Sequence, residues 1–352
     1  MSVAITGSTA VRAGFELDAR ALEAWLDGHV EGFRGPLAIE QFSGGQSNPT
    51  FKLVTPRASY VLRRKPIGVL LKGAHAVDRE ARVMQALEVQ GFPVPHVHAL
   101  CTDDAVIGSW FYVMDFIPGR IFWNGGFPDL SASDRAAHQD AMNATIAALH
   151  GFDSATIGLA NYGRPGQYLE RQVARWSRQY LEDEAAGRSR AMDFLVEWLP
   201  AHLPPDGPTG IVHGDFRIDN IMFHPDRAEV IAVLDWELST LGDPAVDFAY
   251  NLMMYRVPSS APWGLADRDL AALGLPDEAS YIAAYCRRTH RKGIDNLDVY
   301  LAFNLFRLAA IIHGIKGRMI RGTAASADAG TMVAQMDLLA GIARGIAEKA
   351  GR

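Results

Sequence analysis

His213-Gly214-Asp215-Phe216-Arg217-Ile218-Asp219-Asn220 is followed, after an apolar run at 229–234, by Leu234-Asp235-Trp236-Glu237. Gly214 lets the chain turn tightly ahead of Asp215, because a residue without Cβ enters backbone conformations closed to the others. Asn220 follows Asp215 by five residues, so one loop can present both side chains to one site. Asp235 follows by twenty, at the far end of a short predicted strand. Taken alone, His-Gly-Asp is a common turn and Asp a common helix cap. Specificity comes from the amide, the second carboxylate and the intervening strand occurring in register with it.

Outward from this segment the chain changes character near residue 118. Short β-like runs occupy 37–42, 50–55, 59–64, 94–100 and 109–116. One helix interrupts them at 74–90, with Val77, Ala81, Met84 and Leu87 at helical spacing and a stop at Gly91 before Pro93. Beyond Pro118-Gly119 the spacing predicts helices at 133–150, 168–180, 278–290, 297–319 and 328–349, with only two short strands, flanking the turn at 211–237. The expected fold class is α+β: a helical N-terminal extension over 1–34, a small antiparallel β lobe over 35–117 with one main helix, and a larger, mostly helical lobe over 118–352. A cleft between two such lobes is a usual ligand site.

The residue types at 213–237 suit phosphoryl transfer. That reaction needs a group to orient the attacking hydroxyl and accept its proton, and metal ligands to neutralise charge on the phosphates. Asp215 is the candidate base, while Asn220 and Asp235 are candidate ligands for Mg2+, a hard cation that keeps several waters and takes one or two carboxylates. His213 reads as an internal brace of the loop, since no other histidine lies near it at ligand spacing.

The chain resembles the aminoglycoside phosphotransferase and choline kinase superfamily over about residues 35–320, and is most similar to the branch also found fused to acyl-CoA dehydrogenases. Tyr60-Val61-Leu62-Arg63-Arg64-Lys65-Pro66, His75-Ala76-Val77-Asp78-Arg79-Glu80 and Leu241-Gly242-Asp243-Pro244 carry this likeness beyond the catalytic turn. The resemblance implies a protein-kinase-like bilobal fold that uses ATP and Mg2+ to phosphorylate a hydroxyl of a small molecule, with Asp215 as base, Asn220 and Asp235 on the metal, and Glu80 paired to a basic residue of the third strand. Arg63 stands where a phosphate-binding lysine is expected; strand alternation puts Lys65 on the same face, so either is a candidate for the phosphates. Ser43-Gly44-Gly45-Gln46-Ser47-Asn48 resembles the nucleotide-positioning loop, although a plain hairpin turn has the same pattern. Met114, Asp115 and Phe116 resemble the hinge that hydrogen-bonds adenine, and apolar residues there also suit a core. Asp243 and Asp247 are expected to hold the active-site loops rather than a metal.

Composition bounds the alternatives. A net charge of −6 argues against nucleic acid or a membrane surface as partner, both of which call for a basic face. Cys101 and Cys286 match no metal or redox spacing and suggest reduced thiols, and no basic and apolar leader opens the chain, so a cytoplasmic protein is expected. The apolar stretch 299–315, broken by Asn304, Arg307 and His313, reads as a buried helix. His96 and His98 share a strand face but have no third ligand nearby. Arg171, Arg175 and Arg178 lie opposite an apolar stripe of Leu169, Val173, Trp176 and Tyr180; facing an acceptor, they would favour an anion such as an acyl-CoA over a polycation. The leading acceptor is a hydroxyacyl-CoA or related hydroxy metabolite. The rival from another class is a nucleotide-binding pseudokinase acting as a partner module of an acyl-CoA dehydrogenase.

Overall fold

Alternation along the strand Ser59–Arg64 sorts its side chains to two faces. Tyr60 and Leu62 enter a buried cluster with Phe51, Leu53, Phe111 and Val113, whereas Arg63 points the other way, toward the helix Val77–Glu88. The computed structural model describes residues 3–4, 7–42, 48–66, 76–322 and 329–350. In it Ser59–Arg64 lies inside a six-stranded antiparallel sheet. The order is Ser8–Thr9, Ala38–Phe42, Thr50–Val54, Ser59–Arg64, Phe111–Asp115, Val97–Cys101. The five strands anticipated between 37 and 116 all form, with ends that differ from expectation by up to three residues.

The molecule divides into two compact units: residues 1–121, 157–162 and 220–239 make the first, and 122–156, 163–219 and 240–352 the second. This corrects the expected boundaries in two places. Residues 1–34 are no appendage, because the helix Ala19–His29 sets Leu22 and Leu26, both at 0% exposure, into the core beneath the sheet. Nor is 118–352 one lobe: Ile221–Phe223 and Val230–Val233 form a hairpin that pairs with Arg120–Ile121, and Ile121, Met222 and Ala232 share a small core. Hydrogen bonding across a sheet draws these distant segments into the first unit.

The second unit is built around the helix Leu297–Ile320, which is long and apolar enough to cross a membrane by length and composition but is largely buried here. Its polar interruptions all find partners within the unit. Asn304 donates to the Val246 carbonyl, Arg307 donates to that of Gly214, and His313 Nε2 lies 2.8 Å from that of Gly187. The predicted helices appear as Ala132–Leu149, Tyr168–Glu182, Glu278–Arg288 and Leu297–Ile320, while 328–349 divides into Ala329–Val333 and Met336–Ala350. The helix Arg190–Ala201 and the four-residue helix Leu270–Leu273 were not anticipated, whereas Pro244–Leu252 is the helix that Asp243 was expected to cap, with Pro244 at its first position. The expectation of only two strands beyond residue 118 also falls short. Gly210–Val212 and Thr240–Gly242 form their own ribbon, besides the hairpin and Arg120–Ile121.

Candidate active site

In the first unit, charge gathers around Glu80. Arg63 and Tyr112 are cross-strand partners, so both side chains rise from the same face of the sheet and meet the helix Val77–Glu88. Arg63 Nε lies 3.0 Å from Glu80 Oε2, to which the Tyr112 hydroxyl donates at 3.1 Å, and Asn48 Nδ2 donates to Oε1 at 2.8 Å. Arg63 Nη2 donates to Asp235 Oδ1 at 2.6 Å and reaches Glu237 at 3.4 Å. Burial opposes the guanidinium charge, but Asp235 and Glu80 outweigh it and hold the Arg63 pKa well above its ordinary value. Burial likewise raises the Glu80 carboxyl, with Arg63 partly offsetting the rise. Among these carboxylates an arginine satisfies several acceptors at once with its planar fork, which a lysine ammonium cannot do in the same geometry.

Asp235 reaches this cluster from the hairpin. Ile221 pairs with Val233, and the Leu234 amide donates to the Asn220 carbonyl at 2.8 Å, so Asn220 and Asp235 emerge at the same end of the two strands. Asp235 sits in the left-handed region, φ 65° and ψ 63°, which Asp tolerates better than most residues but at a cost. Such strain is retained where a side chain must be aimed. Among the described residues no three His, Cys, Asp or Glu side chains cluster to hold a metal by themselves. One carboxylate and one amide oxygen fit a magnesium ion that completes its shell with waters and substrate phosphates.

In the second unit, the loop after Gly210–Val212 is tied down at nearly every residue. Gly214 has φ +82°, supplying the turn that the sequence implied. The Asp247 carboxylate accepts the amides of His213 at 2.7 Å and Gly214 at 2.8 Å, and His150 Nε2 lies 3.2 Å from it. Burial raises the Asp247 carboxyl, but His150 and the amide bonds more than compensate, leaving its pKa below the usual carboxylate range. His213, fully buried, accepts the Asp215 amide at Nδ1, as expected of a brace. Arg307 donates to the Gly214 carbonyl at 2.6 Å, and Asn251 to that of Phe216 at 3.3 Å.

Side chains also hold Asp215 itself: the Tyr250 hydroxyl donates to its Oδ1, and Arg217 Nε lies 3.2 Å from the same oxygen. Burial and the Asp215 charge raise the Tyr250 phenol well above its ordinary pKa, so it stays a donor. Sequence reasoning missed Tyr250, Asn251 and Arg307. The available signal was polar groups at i, i+3 and i+4 from Asp247 on an otherwise apolar helix, and Arg307 within the apolar stretch.

Lys65 follows the last residue of its strand, so alternation no longer governs it; its ammonium sits 3.8 Å from the centre of the Trp110 ring and 3.8 Å from Asp78. Asn48 is buried and braces Glu80. In the segment expected to be the hinge, Asp115 is engaged by His98 through its side chain and by the His96 carbonyl through its amide, Phe116 carries the Lys52 ammonium over its ring, and Met114 is half-buried. His96 pairs with Glu88. Ser43, Gly44, Gly45 and Ser47, together with His75, lie outside the described residues.

The phosphotransferase enzyme family APH matches residues 38–287. The mouse protein acyl-CoA dehydrogenase family member 10 is 43% identical over 332 residues, 94% of this chain. Acyl-CoA dehydrogenase family member 11 of Gallus gallus is 43% identical over 91% of the chain. The chain spans 31% and 42% of these relatives' own lengths. A crystal structure of a candidate aminoglycoside phosphotransferase from Ralstonia eutropha is 48% identical, with a TM-score of 0.85 over 95% of this chain and 99% of that one. The spectinomycin phosphotransferase APH(9)-Ia, in complex with ADP and spectinomycin, shares the fold at 12% identity, with a TM-score of 0.64 over 94% of this chain and 98% of that one. The fold is therefore the protein-kinase-like α+β fold of aminoglycoside phosphotransferases.

Proposed function

Because this chain belongs to the APH phosphotransferase family, we propose that it is an ATP- and magnesium-dependent kinase acting on an alcohol hydroxyl of a small molecule. The observation that carries the reading is the pinned loop. Asp215 is fixed on a glycine turn by Tyr250 and Arg217, and the same loop runs directly into Asn220, which emerges beside Asp235.

In this reading Asp215 orients the acceptor hydroxyl and takes its proton as the new O–P bond forms and the γ-phosphorus separates from the β-phosphate oxygen of ADP. Asn220 and Asp235 would hold magnesium, whose charge neutralises the phosphate oxygens. Arg63 keeps Asp235 in place by tying it to Glu80, which gives it an orienting part besides any contact with phosphate. Relatives that carry this domain within longer chains named for acyl-CoA dehydrogenases support a hydroxyacyl-CoA or related hydroxy metabolite as acceptor, ahead of a choline-like alcohol or an aminoglycoside. Buried free thiols at Cys101 and Cys286 are consistent with a cytoplasmic setting.

The test follows ADP release over a panel of hydroxyacyl-CoAs, hydroxy acids, choline and aminoglycosides. Asp215→Asn is expected to lower turnover by about 10²–10⁴-fold while nucleotide affinity stays nearly unchanged. Nucleotide binding without phosphotransfer to any member would instead favour the pseudokinase partner of a dehydrogenase.

A further inference from the structure

Asp235 is aimed by the turn that follows it, and that turn is held from outside the hairpin. Trp236 Nε1 donates to the Val233 carbonyl at 2.9 Å, and the Ser239 hydroxyl closes the turn by donating to the Trp236 carbonyl at 2.5 Å. With its proton committed there, Ser239 Oγ accepts from the Tyr162 hydroxyl, 2.5 Å away. Tyr162 is fully buried, and burial pushes its phenol up to about 12, so the hydroxyl stays a donor at neutral pH.

Tyr162 comes from Ile157–Tyr162, a segment of the first unit although the chain on both sides of it belongs to the second. The helix Val77–Glu88 grips this segment with two arginines. Arg82 donates to the Gly158 carbonyl at 2.7 Å and to the Asn161 side chain. Arg79 lies over the Tyr162 ring, 4.3 Å from its centre, and donates to the Ser239 carbonyl at 3.4 Å. Directly after Tyr162 the chain passes so close to the strand Thr240–Gly242 that a Cβ on Gly163 would stand 2.6 Å from the Leu241 nitrogen, which only a glycine avoids.

Consecutive residues of one helix therefore hold the Asp235 turn at both ends. Glu80 acts through Arg63 on the Asp235 carboxylate, and Arg79 acts with Tyr162 on Ser239. A small cation that demands near-octahedral geometry needs its carboxylate ligand fixed in direction as well as charged, and hydrogen bonds behind the ligand supply that direction. The left-handed backbone of Asp235 makes the tie more important, because a strained residue keeps its conformation only where its surroundings impose it.

We propose that the Tyr162 hydroxyl is a positioning group for magnesium: through Ser239 it fixes the turn that aims Asp235, and so sets the metal affinity of the site. The inference rests on the kinase reading for Asp235 as metal ligand, while metal binding is measured without turnover.

The probe is Mn2+, followed by electron paramagnetic resonance as it binds the complex of the protein with ADP, alongside calorimetric titration of ADP with and without metal. Tyr162→Phe and Ser239→Ala are each expected to weaken Mn2+ binding about fivefold, the order of one neutral hydrogen bond, with metal-free ADP affinity unchanged. The double variant should lose no more than either single one, because both substitutions break the same chain of hydroxyls. Thermal melts show that each variant folds. Wild-type Mn2+ affinity in Tyr162→Phe would overturn the inference, as would losses that multiply in the double variant. A fall in ADP affinity that is equal with and without metal would overturn it too, since that marks general loosening. Any of these results in a protein that still transfers phosphate leaves the kinase reading intact. The expected pattern with no phosphotransfer to any hydroxy compound leaves the role of Tyr162 standing and removes the kinase reading, and wild-type protein whose ADP complex binds no Mn2+ overturns both.

Discussion

Arg63 Nη2 stands 2.6 Å from Asp235 Oδ1 while Nε of the same guanidinium stands 3.0 Å from Glu80, so one side chain ties a sheet, a helix and a hairpin turn together. Glu80 is 1% exposed, and removing its cation leaves a buried carboxylate near two others. Arg63→Ala is expected to destabilise the protein by about 3–5 kcal/mol, the cost of stranding one partner of a buried pair. The double variant Arg63→Met with Glu80→Gln should recover much of that loss in urea unfolding. Equal stability of wild type and Arg63→Ala would show that the pair is not structural.

Asp235→Ala removes the proposed carboxylate ligand. Turnover should then require a several-fold higher magnesium concentration for half-saturation. An unchanged magnesium titration would take Asp235 out of the metal site.

Tyr250 presents Asp215 with a phenol that burial and the carboxylate charge keep protonated. Tyr250→Phe is expected to lower kcat about tenfold, the order of one charge-assisted hydrogen bond, with KM for ATP little altered. Spectrophotometric titration should find this phenol still un-ionised at pH 10. Ionisation with an ordinary tyrosine midpoint would contradict the buried, carboxylate-facing placement.

The Asp247 carboxyl has a folded pKa below its unfolded value, so the unfolded chain binds the extra proton first. The stability it contributes is complete above the unfolded carboxylate range, near pH 4, and is lost as pH falls through the lower folded value. Asp247→Asn should cost about 2–4 kcal/mol at pH 7, because two buried amides lose a charged acceptor, and should flatten the decline of stability below pH 4. Parallel acid denaturation curves for the two proteins would refute this assignment.

Leu26 is at 0% exposure in the core beneath the six-stranded sheet. Leu26→Ala should therefore destabilise by about 2–5 kcal/mol, as a core truncation does. An effect within about 0.5 kcal/mol would restore the view of residues 1–34 as an extension.

Period-two alternation at 50–64 and helical spacing at Val77, Ala81, Met84 and Leu87 are local properties, so the strands and the main helix were legible in the order of residues. So was the turn at Gly214, because few residues other than glycine take φ +82° without strain. Asp215, Asn220 and Asp235 could be nominated because their chemistry and spacing travel together along the chain. Tertiary structure alone decided which cation faces which acid. Arg63 and Lys65 look equivalent in a strand pattern, but the strand ends at Arg64, and only Arg63 is opposite Tyr112 and beneath Glu80. The partners of the Asp215 loop, Tyr250 and Arg307, come from helices 35 and 93 positions beyond the residues they hold. Contacts across such distances are made by packing of whole elements, and residue order carries no local periodicity that encodes them.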